Sequence, residues 1–365
     1  MTIQDITSLL ESIAPLSFQE DYDNAGLITG DKKSKCTGVL VCLDTTEDII
    51  DEAIANKCNM VVAHHPIIFS GLRQLTGKNY VERIVIKAIR NDIAIYAIHT
   101  NLDNIKSGVN NKIAEKLLLT NLQVLRPKGA LLKKMVTYAP IDKAEEIRQT
   151  LFHAGAGEIG NYSECSFNLE GTGTFKANAA ADPFVGEVGK RHEEKEIRIE
   201  VIFQAYLQVK ITEALIAAHP YEEVAYDIYS LSNYLQDVGS GLVGSLPHAV
   251  SAEELLTQLS GKFNVRMLRH TRFSGKSVSK IALCGGAGIF LLKDAIAQGA
   301  DAFITSDVKY HEFFDADGQI LLVDMGHFES EQFTIELLFE ILSSKFPNFA
   351  ILKTGIITNP VHYFG

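Results

Sequence analysis

Two adjacent histidines, His64 and His65, follow the apolar run MVVA, and Pro66 stops the run directly after them. Neutral imidazole is the commonest protein metal ligand, and polar groups just past the carboxyl end of a buried strand lie where open α/β sheets bind ligands. Neighbouring residues point in divergent directions, so such a pair serves two metals more readily than it chelates one. Read alone, the pair fits equally a site in which one ring is a hydrogen-bonded structural histidine. A second run, IAIYAIHTNLD, carries His99, Asn101 and Asp103 past another strand end. Asp103 is a carboxylate placed to bridge two cations, although by itself it fits equally the cap of the following helix. His99 reads as a group supporting the site rather than as a ligand. A third run, LLVDMGHFESEQF, places His327 and Glu331 four residues apart at a helix start, about 40° apart on one face.

Three strand ends thus deliver His64, His65, Asp103, His327 and Glu331 to one edge. Five donors exceed a closed four-coordinate site and favour two metals with open positions over one structural zinc. Mixed nitrogen and oxygen donors suit zinc, iron, manganese, cobalt or nickel. A fourth run, ITSDVKYHEFFD, supplies Asp307, Lys309, Tyr310 and His311. His99 and His311 are the candidate general acids; the bland alternatives are Asp307 as a helix cap and His311 as a surface residue. The CGGAG turn lacks the spacing of a dinucleotide loop, and tight strand–helix packing explains it as well. His153, His192, His219, His248, His270 and His362 read as structural or solvent-facing.

The elements that position these residues follow from the hydrophobic pattern. TGVLVCLD, MVVAHHP and IAIYAIHTNLD read as strands separated by the helices EDIIDEAIANK, with Thr45 or Thr46 as cap, and VERIVIKAIRND. This rhythm predicts crossovers in a mostly parallel sheet. KIALCGGAG, ADAFITSD and QILLVDMGH repeat it near the other end. There a helix IFLLKDAIAQG ends at Gly299, and a closing helix starts near Phe328. Residues 1–130 and 233–365 therefore read as one α/β metal-binding domain split in two. Residues 131–232 have another texture: two strand–helix–strand units in tandem, predicting an inserted ferredoxin-like α+β module with GTGTF as the hairpin between them.

Composition narrows the function classes. The chain has 365 residues, 46% hydrophobic and 22% charged, with 34 Lys and Arg against 45 Asp and Glu, a net charge of −11. Two domains and a normal globular core follow. Nucleic acid is not the partner expected of so acidic a chain. No stretch reaches the roughly 20 apolar residues that span a bilayer, and MTIQDITSLLESIAPL is too acidic for a signal peptide, so a cytoplasmic protein is expected. Cys36, Cys42, Cys58, Cys165 and Cys284 are odd in number and form no CxxC pair, which fits a reducing compartment.

The motifs DNAGL (23–27), AHHP (63–66), HTNLD (99–103), TSDVKYHE (305–312) and GHFESE (326–331) together resemble the GTP cyclohydrolase I type 2 homologue family, also called NGG1-interacting-factor-three-like. The insert, with HAGAGEIGNYSECSF, GTGTF and AHPYEEVAYDIY, resembles the PII/CutA-like domain of longer bacterial members. The resemblance implies a dinuclear site from His64, His65, Asp103, His327 and Glu331, none of which departs from the family's pattern. It further implies a homohexameric toroid whose metal sites face an inner cavity, with the insert toward the ring's openings. The expected activity is that of a metal-dependent hydrolase, in which a water held by two cations attacks a nucleotide-like or phosphorylated small molecule. The competing expectation is a non-enzymatic metal-binding assembly whose insert senses a ligand or recruits a partner.

Overall fold

The computed structural model describes residues 1–273 and 275–364. The chain divides into two compact units, Met1–Pro127 with Gln236–Gly365, and Lys128–Leu235.

The larger unit is mixed α/β and holds two sheets. The first runs in the order Gly26–Thr29, Ala94–Ala97, Met60–Ala63, Val39–Cys42, Ile351–Lys353. All its pairs are parallel except the edge strand Gly26–Thr29. The strands VLVC, MVVA and AIYA are buried at every position, because helices cover both faces and leave no position for a polar side chain. Glu47–Ala55, capped by the Thr46 side chain, and Tyr80–Arg90, capped by Asn79, pack Ile49, Ile50, Ile84 and Ala88 onto Leu40, Val61 and Ile95.

The second sheet has the order Arg269–His270, Leu321–Asp324, Ala302–Thr305, Val278–Leu283, Leu235–Val250, Thr120–Lys128. Its three central strands are parallel to one another. Helices Val109–Lys116 and Ala252–Phe263 pack on one face, and Leu292–Ala297 on the other. Two sheets thus stand where the pattern suggested one interrupted architecture. SLSNYLQDVG (230–239), which reads as a connection between the domains, instead runs into the long strand Leu235–Val250.

The smaller unit follows the order strand, helix, strand, strand, helix, strand. Its sheet runs Ser166–Lys176, Arg191–Gln204, Leu132–Pro140, Tyr226–Ser230, antiparallel throughout. Helices Ala144–Ala154 and Gln208–Ala218 bury Ile147, Leu151, Ile211 and Leu215 against Ile199 and Phe203. GTGTF is not the hairpin: it lies inside the strand Ser166–Lys176, and the turn falls after it. A Cβ on Gly173 would stand 2.1 Å from Glu196 Oε2, so this glycine marks a close approach across a strand.

The loop before helix Tyr80–Arg90 closes onto one buried carboxylate. Glu82 Oε2 accepts the backbone N–H groups of Thr76 (2.9 Å), Gly77 (2.9 Å) and Lys78 (3.2 Å) and the Thr76 hydroxyl (2.9 Å). Its Oε1 accepts from Asn79 Nδ2 at 3.0 Å. These bonds, the Thr76 backbone bond first, hold the carboxyl at about 2 against its ordinary 4.5. The folded-state value lies below the unfolded one, so the stabilisation is complete above about pH 4.5 and fades as pH falls toward 2. Glu82→Gln is therefore expected to lower the urea midpoint most above pH 4.5, with the gap to wild type closing toward pH 2. A gap that stayed constant across that range would remove Glu82 from the acid response.

Candidate metal centre

The carboxyl ends of parallel strands from both sheets of the larger unit meet at one place. His64 and His65 follow Met60–Ala63, His99 and Asp103 follow Ala94–Ala97, and His327 and Glu331 follow Leu321–Asp324. Each imidazole is held from behind. His64 Nδ1 donates to the Ile98 carbonyl at 2.8 Å, and His65 Nδ1 to Asp44 Oδ1 at 2.7 Å. His99 Nδ1 donates to Asp23 Oδ1, and His327 Nδ1 to Asp307 Oδ2, both at 2.7 Å. With every Nδ1 committed, the rings of His64, His65 and His327 turn Nε2 toward Glu331, the arrangement by which outer partners fix metal-binding histidines.

His64 is fully buried, and burial above all pushes its imidazole down to about 3. Its Nε2 has no hydrogen-bond partner and faces Asp103 Oδ1 at 3.6 Å and Glu331 Oε1 at 3.9 Å. On the other side of the same carboxylate, Glu331 Oε2 lies 3.0 Å from His65 Nε2 and 3.1 Å from His327 Nε2. The two Nε2 atoms are 3.4 Å apart. Donor atoms of His65, His327 and Glu331, and of His64, His65 and His99, fall within 4.8 Å of one another in two overlapping groups. Glu331, only 3% exposed, presents one oxygen to each side.

A buried excess of electron pairs draws protons or cations. Burial and the Glu331 charge push the Asp103 carboxyl well above the usual range. Burial acts the same way on Glu331, but His327 and His65 outweigh it and hold that carboxyl well below. Burial opposes charge on His65 and His327 as well. Asp44 and Glu331 nevertheless raise the first to about 10, and Glu331 and Asp307 raise the second to about 9. Mixed imidazole and carboxylate donors around orphaned acceptors fit a divalent cation.

The local chain explains the fit. Gly286 of the CGGAG turn has φ +62, and a Cβ there would stand 2.3 Å from Glu331 Oε1. That glycine yields room to the carboxylate rather than cradling a phosphate. Asp103 ends the short helix Thr100–Asp103, while Gly108 caps the next one, so the capping alternative does not hold. His311 is not brought in: it sits on the exposed side of Tyr310–Ala316 between Tyr310 and Phe314, outside the residues lining the site. Asp307 of the same motif is brought in, behind His327. Asp23, Asp44 and Thr358, whose hydroxyl donates to Asp44 Oδ2 at 2.6 Å, had no assigned role in the sequence. Only Asp23, inside DNAGL, gave a signal.

The site opens into a cavity of about 1300 Å³ within the larger unit, walled partly by the tail segment Thr358–Val361. Among the described residues no helix is long and apolar enough to cross a membrane.

The family described as Duf34/NIF3 (NGG1p interacting factor 3) matches residues 1–360. A Halalkalibacterium halodurans protein named GTP cyclohydrolase 1 type 2 homolog is 38% identical over 363 residues, 98% of this chain and 97% of that protein. A Bacillus subtilis protein of the same name is 38% identical over 327 residues, 89% of this chain and 88% of its own length. Among solved structures, a Bacillus cereus protein related to NIF3 superposes with a TM-score of 0.85 at 38% identity, covering 100% of this chain and 99% of that one. A Staphylococcus aureus protein gives 0.79 at 29% identity with the same coverage.

Proposed function

The chain belongs to the Duf34/NIF3 family, and from that premise we propose that it is a dinuclear metal-dependent hydrolase of a nucleotide-like small molecule. One observation carries the proposal: the buried carboxylate of Glu331 faces His64 Nε2 on one side and the Nε2 atoms of His65 and His327 on the other, while His64 Nε2, Asp103 Oδ1 and Glu331 Oε2 are buried with no hydrogen-bond partner. His64, Asp103 and Glu331 Oε1 would hold one divalent ion; His65, His327 and Glu331 Oε2 would hold the other. Zinc, iron, manganese, cobalt and nickel all suit these donors. Such ions would supply Lewis-acid polarisation of the substrate and lower the pKa of water at neutral pH.

The chain's own residues do the rest. Asp44 and Asp307 keep the rings of His65 and His327 in one tautomer. The Asp23 carboxylate fixes His99, which borders the site without belonging to the Glu331 group, so His99 is the residue proposed to hold or move a proton at its Nε2. The relatives' printed name supports ring-opening hydrolysis of a purine nucleotide as the reaction to test first. A cytoplasmic homohexameric ring is part of the same proposal, as is a PII/CutA-like identity for the insert, whose strand–helix order is ferredoxin-like.

The test is metal-loaded protein, examined by anomalous scattering and by turnover of GTP and a panel of phosphoesters. Two separated peaks flanking Glu331 and turnover of at least one substrate are expected. A single peak would sink the two-ion reading, and turnover surviving complete metal removal would sink the mechanism.

A further inference from the structure

The cavity around the centre is rimmed by rings and carboxylates and holds almost no positive charge. Lys87 and Arg269 are the only Lys and Arg side chains lining it among the described residues. Both are engaged: Lys87 Nζ lies 2.5 Å from Asp51 Oδ2, and Arg269 pairs with Asp324. Asp48 and Glu329 line the same space without a Lys or Arg partner among the described residues. Positive charge for a substrate would therefore come from the metal centre alone, and that charge is largely matched by Asp103, Glu331, Asp44 and Asp307.

The apolar side of the cavity is aromatic. Tyr22, Phe69, Tyr80 and Phe290 line it and are each more than half exposed. Phe69 meets His99 edge-on, ring centroids 5.8 Å apart at 84°, so a flat ring lying on Phe69 would be beside the centre. Exposed rings of this kind offer large contact area to planar ligands at small entropic cost.

We infer that the site takes a planar heteroaromatic substrate carrying at most one anionic group, and discriminates against polyphosphate chains. The inference rests on the metal-centre reading above and narrows its substrate. A single anion would meet the metal centre; further phosphates would lie against Asp48 and Glu329. Repulsion between solvent-facing charges is felt within about 10 Å at 0.1 M salt and fades as salt rises.

Titration calorimetry of metal-loaded full-length protein with guanosine, GMP and GTP tests this, with bound metal assayed before and after each run. At about 20 mM salt, GTP is expected to bind at least about tenfold more weakly than GMP, with the gap closing by about 0.3 M. Asp48→Lys should tighten GTP more than GMP, and Phe69→Ala should weaken guanosine and GMP alike. GTP as the tightest of the three at low salt overturns the charge argument. Failure of all three to bind protein that retains its metal overturns the aromatic one. Protein that takes up no metal refutes the centre itself, a separate result from either.

Discussion

Glu331→Gln is expected to abolish binding of both cations, not one. Each Glu331 oxygen faces a different donor set, with Oε1 3.9 Å from His64 Nε2 and Oε2 3.0 and 3.1 Å from His65 and His327. Removing the shared charge weakens both sets together, by more than the 10–100-fold that loss of an outer partner produces. His327→Ala touches one set and should leave one ion per chain. Elemental analysis of dialysed protein reads the stoichiometry directly. A thermal shift supplies the second readout, because metal at 1,000 times its Kd stabilises the folded state by about 4 kcal/mol and a non-binder gains nothing. Misfolding is separable from site loss. Without metal, Glu331→Gln removes the buried carboxylate that pairs with His65 and His327, so the variant should melt below metal-free wild type at neutral pH, and an unchanged far-ultraviolet circular dichroism spectrum separates site loss from misfolding. Gly286→Ala attacks the same carboxylate from its neighbour, placing a methyl 2.3 Å from Oε1 at a left-handed φ of +62. It should weaken metal binding while leaving every donor in place. Glu331→Gln protein that keeps two ions would show that the two sets are not joined through this residue.

The strand ends were legible because their physics is local. VLVC, MVVA and LLVD are short continuous apolar runs, and such runs are what a sheet covered on both faces requires. His327 and Glu331 were legible together because helical spacing is a sequence property. Their orienting partners are not: Asp44 lies 21 residues from His65, Asp23 76 from His99, and Thr358 314 from Asp44. No periodicity encodes contacts between strand ends that are neighbours in one sheet but far apart in the chain. GTGTF was misread because its glycines were taken as punctuation. Gly173 sits in a strand because Glu196 crosses it. Gly244, to which the sequence reading gave no role, likewise sits inside a strand, Leu235–Val250, where a Cβ would meet Leu122 Cδ2 at 2.6 Å and the Thr120 carbonyl at 3.0 Å. Close approach and turning both select glycine, and only coordinates tell them apart. The closing helix, read as continuous from Phe328, is two pieces, His327–Glu331 and Thr334–Lys345. The break follows Glu331 at Gln332, whose amide donates to the carbonyls of Phe263 and Glu329.

His99→Ala is expected to separate chemistry from metal binding. The ring is fixed more firmly than a surface histidine needs: Nδ1 donates to Asp23 Oδ1 at 2.7 Å, and the backbone N–H donates to Asn101 Oδ1 at 2.9 Å. Asp23 is itself locked by the Thr100 N–H at 3.0 Å and by the Thr100 hydroxyl. Burial works against its charge, yet the bonds from His99 and Thr100 hold its carboxyl at about 2. A carboxylate that holds one imidazole tautomer beside a catalytic centre is the arrangement of a general acid or base, worth about 10²–10⁴ in rate. His99→Ala should thus lose turnover on that scale while retaining two ions. Asp23→Asn, which keeps the shape but frees the tautomer, should lose less than His99→Ala and likewise keep its metal. Geometry also supplies the rival outcome, since a His99 nitrogen lies within 4.8 Å of donor atoms on His64 and His65. If His99→Ala falls to one ion per chain, His99 is a ligand and the proton must be handled elsewhere. If both ions stay and turnover is unchanged, the Asp23–His99 pair only braces the loop that follows the Ala94–Ala97 strand.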